Sequence, residues 1–114
     1  MKVLVVDDDE AIRSTVTQIL EFEGYSVVAA ADGAEALAAV EAELPCLVLL
    51  DMRMPILDGW GFAAALRKRG LKVPIAVMTA AQNAQRWCDE IGGDACLAKP
   101  FDLDDMVATV ARFC

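Results

Sequence analysis

The sequence predicts an α/β domain built on a doubly wound, five-stranded parallel sheet with five helices. Three observations carry this. Short, unbroken apolar runs such as Val3–Val6 and Cys46–Leu50 have the length and uniform hydrophobicity of strands buried on both faces. Capped, amphipathic helical stretches alternate with those runs. The connections are short, and 114 residues is near the commonest size for one domain with one core, so 1–114 reads as a single unit.

Each element follows in order. Val3–Val6 forms the first strand and runs into Asp7-Asp8-Asp9-Glu10. The first helix carries Ile12, Val16, Ile19 and Leu20 on one face, with Glu23 at its margin and Gly24 closing it. Asp9 is its N-cap candidate, and Glu10 suits the positive end of the helix dipole. Tyr25–Ala29 is the second strand. Asp32 caps a second helix, whose Ala36, Leu37 and Val40 make a thin apolar stripe before Leu44-Pro45. Cys46–Leu50 is the third strand; it ends at Asp51, and Pro55 forbids a helix just beyond.

Asp58-Gly59 opens the third helix, which turns Phe62 and Leu66 inward and stops at Gly70. The basic run Arg67-Lys68-Arg69 sits at its C-terminus, where cations favour the dipole. Pro74–Thr79 is the fourth strand, its proline tolerable at the first position. Ala81–Ile91 reads as a short, weak and polar fourth helix closed by Gly92-Gly93. Cys96–Ala98 is a brief fifth strand leading to Lys99-Pro100. Asp102 and Asp105 form a capping-box-like pair before a last helix that buries Met106, Val107 and Val110.

Composition removes several classes of function. The formal charge is −8 with no extended basic cluster, which argues against direct nucleic-acid binding. No apolar run approaches the roughly 20 residues of a membrane helix and the N-terminus lacks a signal-peptide pattern, so no membrane association and a cytoplasmic location are expected. There is no histidine, and the four cysteines (Cys46, Cys88, Cys96, Cys114) have no CxxC spacing. The usual zinc sets, histidine bases and Ser-His-Asp arrangements are therefore excluded. All four cysteines are expected to be reduced, with Cys46 and Cys96 as core thiols.

The polar residues that need explaining gather at strand carboxyl ends. Asp7 and Asp8 follow the first strand, Asp51 the third, Thr79 the fourth and Lys99 the fifth. Open α/β sheets bind ligands beyond those ends, where strand order reverses. Taken singly, an acid after a buried strand is usually a loop residue or a cap, as expected of Asp9, Asp32, Asp58 and Asp102. Five such groups on one side of a sheet point to a site. Three converging carboxylates repel one another unless a hard cation such as Mg²⁺ lies among them. Asp51 would then serve as a nucleophile toward a phosphate-bearing donor, with Lys99 and the Thr79 hydroxyl addressing the phosphoryl oxygens.

The set Val5-Val6-Asp7-Asp8-Asp9, Leu50-Asp51-Met52-Arg53-Met54-Pro55 with Asp58-Gly59, Val77-Met78-Thr79-Ala80 and Leu97-Ala98-Lys99-Pro100-Phe101 resembles the receiver domain of two-component response regulators along the whole chain. The resemblance implies a flavodoxin-like strand order, 2-1-3-4-5. It implies that Asp51 accepts a phosphoryl group from a sensor histidine kinase or a phosphotransfer protein. Asp8 and Asp51 would ligate Mg²⁺ directly, Asp7 largely through water, and the Arg53 backbone carbonyl would complete the set. Thr79 and Lys99 would engage the phosphoryl group, and the Lys99–Pro100 bond would be cis. The output partner would bind the face formed by the fourth helix, fifth strand and fifth helix. The chain reads as a stand-alone receiver, not an enzyme beyond its own phosphorylation and dephosphorylation.

Three positions depart from the family pattern. Cys96 stands where a Tyr, Phe or His is usual, and it is too small for the inward swing that relays the signal. The stretch from Thr79 to Gly92 is about two residues short. Arg53 and Ala81 occupy positions that influence the lifetime of the acyl phosphate. A modified output surface on the fourth helix follows as an expectation, with Trp87 there as an exposed contact, a core residue or a lid. Two other functions compete. A haloacid-dehalogenase-like phosphohydrolase would use Asp7 as nucleophile and Asp9 as acid/base, and a pseudo-receiver would act only through protein contacts.

Overall fold

Every apolar run expected to be a strand lies in one parallel sheet of the computed structural model, which describes residues 2–114. The elements alternate as β1 (Lys2–Val6), α1 (Glu10–Phe22), β2 (Ser26–Ala30), α2 (Gly33–Ala42), β3 (Leu47–Asp51), α3 (Gly59–Lys68), β4 (Ile75–Ala80), α4 (Ala81–Ile91), β5 (Ala95–Lys99) and α5 (Leu103–Phe113). The strand order is β2-β1-β3-β4-β5. Parallel neighbours need crossovers, and each is supplied by one helix. The chain winds outward from β1 to one edge, then crosses back to β3 and on to β5. The reversal point therefore falls between β1 and β3.

Period-2 alternation divides the core in two. Val3, Val5, Leu47, Leu49, Ala76, Met78 and Leu97 face α1 and α5, packing on Val16, Leu20, Met106 and Val110. Leu4, Val6, Val48, Leu50, Ile75 and Val77 face α2, α3 and α4, packing on Val40, Phe62, Leu66 and Trp87. All five residues of β3 are buried, as a central strand covered on both faces must be.

The four expected caps form. Asp9 accepts from the N–H groups of Ala11 and Ile12, Asp32 from Glu35, Asp58 from Gly61 and Asp102 from Asp104. The expected pairing of Asp102 with Asp105 does not form, because Asp102 bonds one residue earlier. A related pair occurs at α2, where Asp32 Oδ1 accepts from Glu35 N–H and Glu35 Oε1 accepts from the N–H of Ala31, just before the cap.

Two glycines set the loop between β3 and α3 against its neighbours. A Cβ on Gly59 would lie 2.6 Å from Met52 Sδ and 2.8 Å from Met52 Cα, and one on Gly33 would lie 2.3 Å from the Leu57 carbonyl oxygen. Their N–H groups donate to the carbonyls of Met52 and Leu57 respectively, both at 2.9 Å. The backbone just after Asp51 is thus pinned by the first turns of two helices.

Three expectations about the fourth helix and the cysteines need correction. The fourth helix is not short: α4 has 11 residues against 10 for α2 and α3. The missing length comes from the connection, since α4 starts at Ala81 directly after Ala80 of β4. Nor is it polar on every face. Ala84, Trp87, Cys88 and Ile91, at i, i+3, i+4 and i+7, form its buried stripe. Finally, Cys46 and Cys114 are not free thiols but a disulfide, with Cα atoms 5.4 Å apart. α5 carries Cys114, the residue after it, to Cys46, the residue before β3, a meeting of residues 68 apart in sequence that spacing alone does not reveal. Cys88 is buried and Cys96 half-buried, both as free thiols.

Candidate functional site

The sheet register assembles the predicted residues. Val6 pairs with Leu50, so Asp7, one step beyond β1, emerges level with Asp51 at the end of β3. Asp51 pairs with Met78, placing Thr79 one residue further along β4. Thr79 pairs with Ala98, and Lys99 follows. Four strands thus deliver their polar ends to the same rim, beside the β1/β3 reversal point. Lys99–Pro100 is a cis peptide bond.

Carboxylate oxygens of Asp7, Asp8 and Asp51 lie within 4.8 Å of one another. Asp7 and Asp51 are buried, whereas Asp8 is exposed at the mouth. Lys99 Nζ lies 2.9 Å from Asp7 Oδ2 and 3.7 Å from Asp51 Oδ1, so one ammonium bridges both buried acids and sits closer to Asp7. Thr79 is also buried, at 4% exposure. The grouping is an all-oxygen donor set without nitrogen or sulfur. That is the chemistry of a hard divalent cation and not of zinc or copper.

The electrostatics single out Asp51. Its pKa is raised from 3.8 to about 6, chiefly by burial. The Asp7 charge and then Asp8 push it the same way, while Lys99 and the Arg53 backbone N–H oppose them. A buried acid among acids is costly when ionised, and a cation at this cluster would remove that cost.

Other contacts were not anticipated from the sequence. Asp7 Oδ1 accepts from the Asp9 N–H at 2.9 Å, and Arg13 Nη1 donates to the Asp7 carbonyl at 2.8 Å. The signal lay in helical spacing: Arg13 stands one turn beyond the N-cap Asp9, and so reaches back toward Asp7. Asp9, which the hydrolase reading required as an acid/base, has its side chain committed to capping α1. A second cluster adjoins the site. The Arg53 guanidinium lies 5.9 Å from the centre of the Trp87 ring, which meets the Trp60 ring edge-on at 4.9 Å. Trp87 is buried and is not an exposed contact.

The sequence matches the family model of the response regulator receiver domain over residues 3–111. The chain belongs to that family. This receiver is 41% identical over 110 residues to the response regulator MprA of Mycobacterium avium, covering 95% of the chain and 48% of that protein. It is 40% identical over 112 residues to MprA of Mycobacterium leprae, covering 96% and 49%. It therefore spans about half the length of the curated relatives it matches. Among solved structures, the receiver domain of Francisella response regulator 1452 superimposes with a TM-score of 0.90 at 31% identity, covering 98% of this chain and 94% of that one. Chemotaxis protein CheY4 of Vibrio cholerae gives 0.86 at 32% identity, with 99% and 98% covered. The order 2-1-3-4-5 and the five helices are those of this fold. No described helix of this receiver is long and apolar enough to cross a membrane.

Proposed function

We propose that the chain is a phosphorylation-controlled signalling domain that accepts a phosphoryl group on Asp51 from the phosphohistidine of a sensor kinase or phosphotransfer protein. The convergence of the Asp7, Asp8 and Asp51 carboxylates within 4.8 Å, with Lys99 alongside, carries this reading. An Asp51 carboxylate oxygen attacks phosphorus, the new O–P bond forms as the P–N bond breaks, and the bonding pair leaves with the imidazole nitrogen. Lys99, bridging Asp7 and Asp51 at rest, turns toward the phosphoryl oxygens as negative charge moves outward. The Thr79 hydroxyl donates to another of those oxygens. Mg²⁺ held by Asp7, Asp8, Asp51 and the Arg53 backbone carbonyl would neutralise the incoming charge. The chain acts on no substrate beyond its own acyl phosphate, works in the cytoplasm, and signals to a protein partner through the face of α4, β5 and α5.

Incubation with acetyl phosphate and Mg²⁺, followed by trapping and mass spectrometry, tests the assignment. A single phosphoaspartate at Asp51, absent from Asp51→Asn, is the expected result. Label at Asp7 would instead favour a hydrolase-like nucleophile. No label together with no beryllofluoride binding would leave a protein-contact module.

A further inference from the structure

The phosphoacceptor and α4 are joined by a route that does not pass through Cys96. Cys96 faces the α4 layer, where its small thiol meets the Cys88 thiol and the Ala84 carbonyl, with Sγ 3.8 Å from that oxygen. A second set of contacts reaches α4 through Trp87 and Glu90. Trp87, buried in the middle of that helix, offers its ring to the Arg53 guanidinium at 5.9 Å and to the edge of Trp60 at 4.9 Å, with 70° between the planes. Trp60 Nε1 in turn donates to Glu90 Oε1 at 2.9 Å, one turn further along α4. Arg53, Trp60 and Glu90 therefore hold α4 to the β3–α3 region.

Arg53 is also the residue whose backbone N–H helps to lower the Asp51 pKa against its burial. Other cations near the rim are engaged: Lys99 by Asp7 and Arg13 by the Asp7 carbonyl. Among the described residues the Arg53 guanidinium has no ion-pair partner, and it lies over the Trp87 ring. Arg53 is exposed, and an exposed guanidinium over an aromatic ring is weakly held, whereas a bidentate pair with phosphoryl oxygens is among the strongest polar contacts a protein makes. Phosphorylation two residues away brings a charge of about −2 within the reach of a long, flexible arginine.

We propose that Arg53 is a two-position switch. Its guanidinium rests on Trp87 when Asp51 is free and transfers to the phosphoryl oxygens when Asp51 is modified. Trp87 then loses the cation that helps fix α4, and the α3–α4 clamp loosens. The signal reaches the output helix through Arg53 and Trp87, in place of an aromatic residue at position 96. This rests on Asp51 being the phosphoacceptor, and the test separates the two claims.

Trp60→Phe leaves Trp87 as the sole tryptophan, so its emission reports on the contact. Beryllofluoride with Mg²⁺ is expected to change that emission. In Trp60→Phe/Arg53→Gln the resting spectrum should already resemble the bound one, and the change should be lost. Cys96→Ala should retain the full response. In the unsubstituted chain, the Arg53 Cδ proton resonances should be shifted upfield by the Trp87 ring current and should return downfield on beryllofluoride binding, a readout that needs no variant. Asp51 labelling by acetyl phosphate is measured in parallel. Failure to label the unsubstituted chain would overturn the phosphoacceptor reading. Labelling with unmoved Arg53 resonances, or a response that persists in Arg53→Gln or disappears in Cys96→Ala, would overturn the switch alone.

Discussion

Asp51 is the residue on which stability and chemistry oppose each other. Its pKa of about 6 in the fold exceeds the 3.8 of the free side chain, so the folded state binds the proton more tightly than the unfolded state. The sign follows directly: the Asp51 contribution to stability is greatest where the group is neutral in both states, below pH 4, and is lost as pH rises through 6. The full difference is about 3 kcal/mol at 1.36 kcal/mol per unit. Asp51→Asn removes the charge while keeping the shape. Urea unfolding should show the variant more stable than the parent by about 3 kcal/mol at pH 7.5, narrowing to about 1 kcal/mol at pH 4.5. Taking the difference between the two proteins cancels every titrating group they share. A difference that is flat across this range would mean that Asp51 is not destabilised by ionisation. Ile56 carries a separate local cost: it holds φ at 69°, in a region where a β-branched residue is strained, and is 82% exposed.

At the scale of elements, the sequence was informative wherever the cause was local. Asp9, Asp32, Asp58 and Asp102 announced their helices because a cap works within three residues of itself. The buried β3 was legible because a strand covered on both faces has no polar position to spare. The α4 stripe was missed because Gln82, Asn83, Gln85 and Arg86 dominate the local composition and mask the spacing of Ala84, Trp87, Cys88 and Ile91. The Cys46–Cys114 bond was not legible, since it depends on where α5 ends relative to β3. That bond has a measurable consequence. Closing a loop between residues 68 apart restricts the unfolded chain. On loop entropy this is worth up to about 4 kcal/mol. Dithiothreitol, or Cys114→Ser under oxidising conditions, should lower the urea midpoint accordingly. Alkylation of the unfolded protein should rise from two thiols to four on reduction. An unchanged midpoint would assign the fold's stability to the core alone. In a reducing cytoplasm the pair would be open, and the lower stability would be the relevant one.

The whole molecule carries a formal charge of −8, and the sheet concentrates several of its acids at one rim. The residue identities at that rim were readable before the fold, because each ends an apolar run. Their mutual distances were not, because they depend on the order in which five strands pair. Once β1 and β3 are neighbours, the repulsion among Asp7, Asp8 and Asp51 becomes a property of the folded state. The unfolded chain keeps Asp51 far from the other two along the sequence. A divalent cation that binds only the assembled cluster must therefore stabilise the fold by mass action, by about 2.7 kcal/mol at a hundredfold excess over its dissociation constant. At that excess Mg²⁺ should raise the thermal midpoint by roughly 10 °C at pH 7.5, and chelation should reverse it. The gain should shrink as pH falls through 6, where Asp51 takes up its proton and ceases to be a ligand. Monovalent salt at equal ionic strength should reproduce little of it, because screening acts weakly on a buried cluster. Asp51→Asn should lose most of the Mg²⁺ effect while retaining its own higher midpoint. An equal rise with Mg²⁺ in that variant would place the cation elsewhere on the acidic surface and separate metal binding from the phosphoacceptor.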